Sequence, residues 1–218
     1  MCKIRLYFKK YGELRFIGHL DLLKMIQRAV TRADIPVAFS QGFNPHQLVS
    51  FALPLPVGYQ GLSEIVEIDL EQDMSSEACI KSLNGVLPEG VMMTKAEMLK
   101  EGDKTAASLV AGAVYDIEFP ESQWDHLADA AAKIMNMPEI LIEKESKNKT
   151  QLVDIKGLIT DISTPDPGVI RVECAAGSVK SVRLDYILER LYDCMNLNFS
   201  EHKYGNQYTR RELVLSAT

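Results

Sequence analysis

The apolar pattern changes period within the first 33 residues, and that change limits the chain to folds that lay helices on a sheet. Residues 3–8 (KIRLYF) alternate, placing Ile4, Leu6 and Phe8 on one face of a strand. Residues 19–33 switch to helical spacing, with Leu22/Leu23, Ile26, Ala29/Val30 and Ala33 recurring every three to four positions. Tyr11-Gly12 marks a turn between them, and 14–17 predicts a second short strand. Asp21 sits in the first helical turn, where a carboxylate suits the helix dipole, and Pro36 closes the helix. Strands are predicted at 36–41 and 47–54, around the turn cluster Gly42-Phe43-Asn44-Pro45, and then at 64–70. A helix at 75–85 and a strand at 91–97 follow.

Residues 100–112 (KEGDKTAASLVAG) are small and polar and read as a linker. Beyond it the element order recurs. A strand at 113–119 alternates Tyr115, Ile117 and Phe119, and a helix covers 121–135. Strands follow at 139–145, 151–162 and 169–174. The helix at 181–195 carries Leu184, Ile187/Leu188 and Leu191/Tyr192 on one stripe, and a strand at 208–215 closes the chain. This order predicts an α+β fold of two ferredoxin-like (β-α-β-β-α-β) units packed side by side, 1–103 and 112–218. Helices would cover one sheet face and leave the other free for contact or for mutual packing.

A net charge of −6 argues against a general nucleic-acid binder, but its distribution is uneven. Residues 1–63 hold eight Lys/Arg against three acids, a net of +5, while residues 64–218 carry −11. A phosphate-bearing ligand meets local potential, not the total. The four cysteines (Cys2, Cys79, Cys174, Cys194) lie too far apart in sequence for a CxxC-type metal clip, and they read as buried or partly buried free thiols. No metal or cofactor is expected. Phosphate-loop, dinucleotide, nucleophile-elbow and HExxH motifs do not occur. No apolar run approaches the roughly 18 residues that would cross a membrane. Charges interrupt the first apolar stretch, so a secretory signal is not expected and the cytoplasm is.

The residues with chemistry to offer fall in two segments, Arg15–Leu23 (RFIGHLDLL) and Ser40–His46 (SQGFNPH), the second leading into Ser50–Gly58 (SFALPLPVG). Amides at the helix start could hold an anion, with Arg15 and His19 beside them. Lys24, Arg28 and Arg32 stand at i, i+4 and i+8, a basic stripe suited to a phosphate backbone. Asp21, Gln41, Asn44 and His46 complete the candidate set. Plainer roles are open for each: His19 as a helix N-cap or satisfied polar group, His46 as a turn brace, the stripe as a solvated face. His126 and His202 stand alone. Lys144, Lys147, Lys149 and Lys156 make a looser basic patch, diluted by Glu143, Glu145 and Asp154, and read as a solvated hairpin.

The run RFIGHLDLLKMIQRAVTRADIPVAFSQGFNPHQLVSFALPLPVG resembles the signature of the radical-SAM-linked family, whose members show an RF-x-SHLDL block and a SQGFNPHP-x-x-SFA-PLP-x-G block. Gly18 stands where serine is commoner, and Gln47 where proline is often found. Val153-Asp154-Ile155-Lys156 and Thr209-Arg210-Arg211-Glu212-Leu213 resemble two later family blocks. The resemblance implies a partner that is a radical-SAM enzyme, and a role in RNA modification or maturation. The chain itself lacks the closely spaced cysteine trio such an enzyme needs. The expected function is an accessory module that binds RNA or another anionic substrate and has no catalysis of its own. Arg15, Lys24, Arg28 and Arg32 would meet phosphates, and His19, Asn44 and His46 a base or ribose. Two alternatives are a metal-independent endoribonuclease using His19 or His46 as acid or base, and a protein-interaction adaptor.

Overall fold

A computed structural model describes residues 2–146 and 149–216. The fold is α+β, with the ten strands of the described residues paired in sheets and several helices, and the chain divides into two compact units, Met1–Val110 with Arg210–Thr218, and Ala111–Thr209. It is not resolved into two discrete ferredoxin-like units. The last strand begins in the second unit and ends in the first, because Arg210 within it is buried against Glu64.

The first unit contains β1 (Cys2–Lys10), α1 (His19–Arg32), β2 (Val49–Phe51), β3 (Tyr59–Leu70), α2 (Ser76–Asn84), β4 (Val91–Leu99) and a single-turn α3 (Ala106–Leu109). β1 lies between β4 and β3, antiparallel to both, and β2 pairs the Leu70 end of β3, from Val49 against Ile68 to Phe51 against Val66. The predicted alternation holds. Ile4, Leu6 and Phe8 are buried under Leu22, Ile26, Ala29 and Val30 of α1 and Cys79 and Leu83 of α2. The Ser75 hydroxyl caps α2 by accepting from the Ala78 amide at 3.2 Å.

Arg5 points away from the helices, yet it is only 6% exposed. Its Nε donates to Glu67 at 2.9 Å, and its terminal nitrogen donates to the Lys104 carbonyl at 2.9 Å. The same Glu67 carboxylate accepts from the Ala106 amide at 2.8 Å. This ion pair therefore clamps residues 104–106 onto the sheet face turned away from the helices. It also turns the C-terminal part of the predicted linker into ordered structure, with the Thr105 hydroxyl capping α3.

Three other expectations are corrected. Residues 12–16 form a 3₁₀ turn, with Ile17 N bonded to Leu14 O at 3.1 Å, where a strand was expected at 14–17. Residues 36–41 make only isolated bridges, Val37 to Leu70 and Phe39 to Gln47. The strand expected at 47–54 shortens to β2, since Pro54 and Pro56 have no amide to donate.

The second unit contains β5 (Val110–Glu118), α4 (Trp124–Asn136), β6 (Leu141–Ser146), β7 (Lys149–Asp154), β8 (Ile159–Ser163), β9 (Val169–Ala175), α5 (Leu184–Cys194), a single-turn α6 (Phe199–His202) and the start of β10 (Gln207–Leu215). β9 lies between β5 and β8, and β6–β7 is a separate hairpin. The strand expected at 151–162 breaks into β7 and β8 around a 3₁₀ turn at Lys156–Leu158. The Asp154 carboxylate accepts from the amides of Ile140 (2.8 Å) and Lys156 (2.9 Å), which holds its pKa below the ordinary value. The Lys156 ammonium donates to the Ile134 and Met135 carbonyls at the end of α4. That use removes Lys156 from the looser basic patch, of which Lys147 lies outside the described residues. The stripe Leu184, Ile187, Leu188, Leu191 and Tyr192 of α5 is buried as expected.

Glu67→Gln leaves the Arg5 charge buried without its partner, so it should cost about 3–5 kcal/mol. Asp69→Asn removes the partly exposed Lys3–Asp69 pair (3.0 Å) and should cost under about 1 kcal/mol. Urea unfolding midpoints of the two variants check the contrast.

Candidate functional site

α1 is amphipathic by construction. Leu22, Ile26, Ala29 and Val30 face the sheet, and Asp21, Lys24, Arg28 and Arg32 are exposed on the other side. Its N-cap is Gly18, which has no side chain to cap the first turn. His19 is therefore the first helical residue and not the cap.

The exposed stripe forms one wall of an open groove of about 630 Å³, lined by Asp21, Lys24, Met25, Arg28 and Arg32 with Val86 and Pro88 opposite. Arg32 donates to the Val86 carbonyl at 3.0 Å, across the groove's end. Among the described residues none of Lys24, Arg28 and Arg32 has an ion-pair partner. By contrast, three of the other cations in the first 63 residues (Lys3, Arg5, Lys10) are paired or buried. Of the five cations that remain, three lie on α1, the others being Lys9 and Arg15.

Gln41, Asn44 and His46 lie on a neighbouring loop. Its base is closed by Ser40 N to His46 O (2.9 Å), by His46 N to the Ser40 hydroxyl (3.1 Å), and by the same hydroxyl with His46 Nδ1 (2.8 Å). His46 thus braces the turn. Gln47 Nε2 donates to the Thr31 hydroxyl at 2.8 Å and ties the loop to the last turn of α1. Thr31 follows Arg28 by three positions, so the two are neighbours on the helix surface.

Arg15 and His19 sit at the opposite end of α1. The Arg15 guanidinium lies over the Phe16 ring (4.7 Å), and the His19 ring meets Phe51 edge-on at 5.2 Å. At 1.5 Å per residue, roughly 18 Å of helix separates His19 from Thr31. The nine candidates therefore form three groups: the helix entrance, the groove and the loop.

What sequence reasoning missed lies beneath the entrance. Arg210 is 1% exposed. Its guanidinium donates to both oxygens of Glu64 and to the carbonyls of Leu53 (2.9 Å) and Pro54 (3.2 Å). Lys10, also 1% exposed, donates to the Ile17 carbonyl at 3.1 Å. Gly58 N donates to Arg15 O at 2.8 Å, so the two signature segments are joined directly. Gly61 is required for this arrangement, because a Cβ there would lie 2.5 Å from Glu64 Cγ. Phase was the available signal. Lys10 follows Ile4, Leu6 and Phe8 in alternation, and Glu64 precedes Val66, Ile68 and Leu70. Charges in the apolar phase of a strand are buried charges.

The four cysteines are free, Cys79 and Cys174 buried and the other two partly so, as expected. Burial pushes the Cys79 thiol up to about 11 and Cys174 to about 12, far from a reactive thiolate. Among the described residues no group of three or more His, Cys, Asp or Glu could hold a metal. Nor is any helix long and apolar enough to cross a membrane.

Residues 3–184 match the family described as "Uncharacterized protein conserved in bacteria (DUF2344)", a family often found linked to radical-SAM enzymes. No curated protein matches the sequence. Among solved structures, the chain is similar to one titled "Crystal Structure of a Cbf5-Nop10-Gar1 Complex", at 12% identity and a TM-score of 0.48, covering 97% of this chain and 48% of that one. The chain therefore spans about half the length of that solved chain.

Burial pushes the Lys10 ammonium below the ordinary lysine value of 10.5; Glu64 opposes the shift and Arg210 adds to it. The cost of burying the charge is fully present below the folded pKa. As pH rises through that value towards 10.5, the native state releases its proton first, the unfolded chain holds more protons, and stability rises. The stability of the parent should therefore gain on that of Lys10→Met across this window, as read by urea unfolding at each pH.

Proposed function

This chain belongs to the DUF2344 family, and from that premise and the groove on α1 we propose that it is an accessory protein that binds RNA for a radical-SAM enzyme. The observation that carries the reading is the set of three cations along one groove, Lys24, Arg28 and Arg32, none with an ion-pair partner among the described residues, in a chain whose total charge is −6. Cations free of acidic partners can exchange counterions for phosphates; cations already in ion pairs cannot do so without loss. Asn44 and Gln41, both exposed, supply hydrogen-bond donors and acceptors for base or sugar edges.

The protein presents RNA and does not cut it. His46 braces its own turn through Ser40 and the His19 ring packs edge-on against Phe51, which supports a reading in which neither acts as acid or base. The order of β1 to β4, with β4-β1-β3-β2 as antiparallel neighbours, supports a ferredoxin-like first unit. The second unit is a variant of the same order, and the protein works in the cytoplasm.

Lys24→Ala/Arg28→Ala/Arg32→Ala should weaken RNA binding and lower the slope of log K against log salt by about 2, near 0.7 per lost phosphate contact on a single strand. Filter binding across a salt series measures both. Binding that is absent in the parent, or indifferent to salt and to these changes, contradicts the reading.

A further inference from the structure

We propose that the RNA is recognised as an unpaired strand, and that Phe43 is the residue on which one of its bases stacks. The inference rests on the RNA-binding reading above and adds the class of RNA and a residue that the sequence signature leaves without a role.

Phe43 is fully exposed, at 106% of the reference area, on the tip of the loop between Ser40 and His46. Its exposure is built in. The loop base is closed by the Ser40–His46 bonds and by Leu48 N to Ala38 O at 2.9 Å. The residue before it, Gly42, holds φ at +126°, a conformation that side-chain-bearing residues rarely adopt. A loop fixed on both sides thus holds an aromatic ring in water.

The surroundings favour a base over a protein side chain as the ring's partner. Protein hot spots are ringed by contacts that exclude water, but Gln41, Gly42, Asn44 and Pro45 beside Phe43 are exposed and polar or small. Residues 35–63 contain no Asp or Glu, so the loop offers a phosphate backbone no repulsion. The Gln47–Thr31 bond places the loop beside Arg28 and the groove cations. A planar ring next to a cationic track is the arrangement that binds single strands: phosphates run along the cations and bases stack on the ring. A duplex keeps its bases stacked on one another and offers the ring nothing.

The test uses the full chain and three RNAs of about 12 nucleotides: an unstructured strand, a blunt duplex and an abasic strand. Phe43→Ala should weaken binding of the unstructured strand by about 5- to 100-fold and leave the other two unchanged, and Phe43→Trp should retain the parent affinity. An unchanged affinity for the unstructured strand, or an equal loss on all three RNAs, overturns the proposal. If the triple groove variant loses binding while Phe43→Ala does not, stacking falls and the RNA-binding reading stands. A parent that binds none of the three removes both. If Phe43→Ala releases a co-expressed radical-SAM enzyme at unchanged RNA affinity, the ring docks protein and the proposal is wrong.

Discussion

One guanidinium holds the signature region together. Arg210, almost wholly out of water, takes both oxygens of Glu64 and the carbonyls of Leu53 and Pro54. A buried charge of this kind is tolerated only when its partners are fixed, and fixing them sets the path of the chain through residues 53–64. Lys10 adds a second buried cation, bound to Ile17 at the entrance of α1. The Lys10 bond and that of the Gly58 amide to the Arg15 carbonyl fix the chain just before α1, and the buried Leu22, Ile26, Ala29 and Val30 turn the exposed stripe outward. The block Ser50–Gly58 thus supplies two carbonyls, those of Leu53 and Pro54, to a buried arginine.

That distinction divides the charges of the first unit into two kinds. Arg5, Lys10 and Arg210 are spent inside the fold, where they cost solvation and fix geometry. Lys24, Arg28 and Arg32 remain on the surface with no ion-pair partner among the described residues. A tally of charge along the sequence treats the two kinds alike, and the groove separates them.

The regular elements were legible because burial imposes period. Ile4, Leu6 and Phe8 and the α5 stripe were placed correctly from spacing alone. Elements set by specific hydrogen bonds were not. The 3₁₀ turn at 12–16 and the clamp of residues 104–106 by Arg5 and Glu67 depend on tertiary partners that no local pattern encodes. The candidate site was legible in part. The i, i+4, i+8 stripe lines one groove, while Arg15 and His19 were drawn into the same set by nearness in sequence and lie a helix length from the His46 loop. Phe43 was read only as a turn residue, because exposure of an aromatic ring cannot be inferred from composition. In the blocks around Asp154 and Arg210, the carboxylate and the guanidinium are bonded within the fold, which neither strand pattern nor family resemblance showed.

The central claim is that the outer face of α1 and the adjoining loop form one RNA-binding surface. Amide chemical-shift mapping during titration with an unstructured RNA strand tests it most directly. The account predicts perturbations confined to α1 from Lys24 to Arg32, to Val86 and to residues 40–47. Perturbations centred elsewhere, in residues 111–209 for example, with those amides silent, would contradict it.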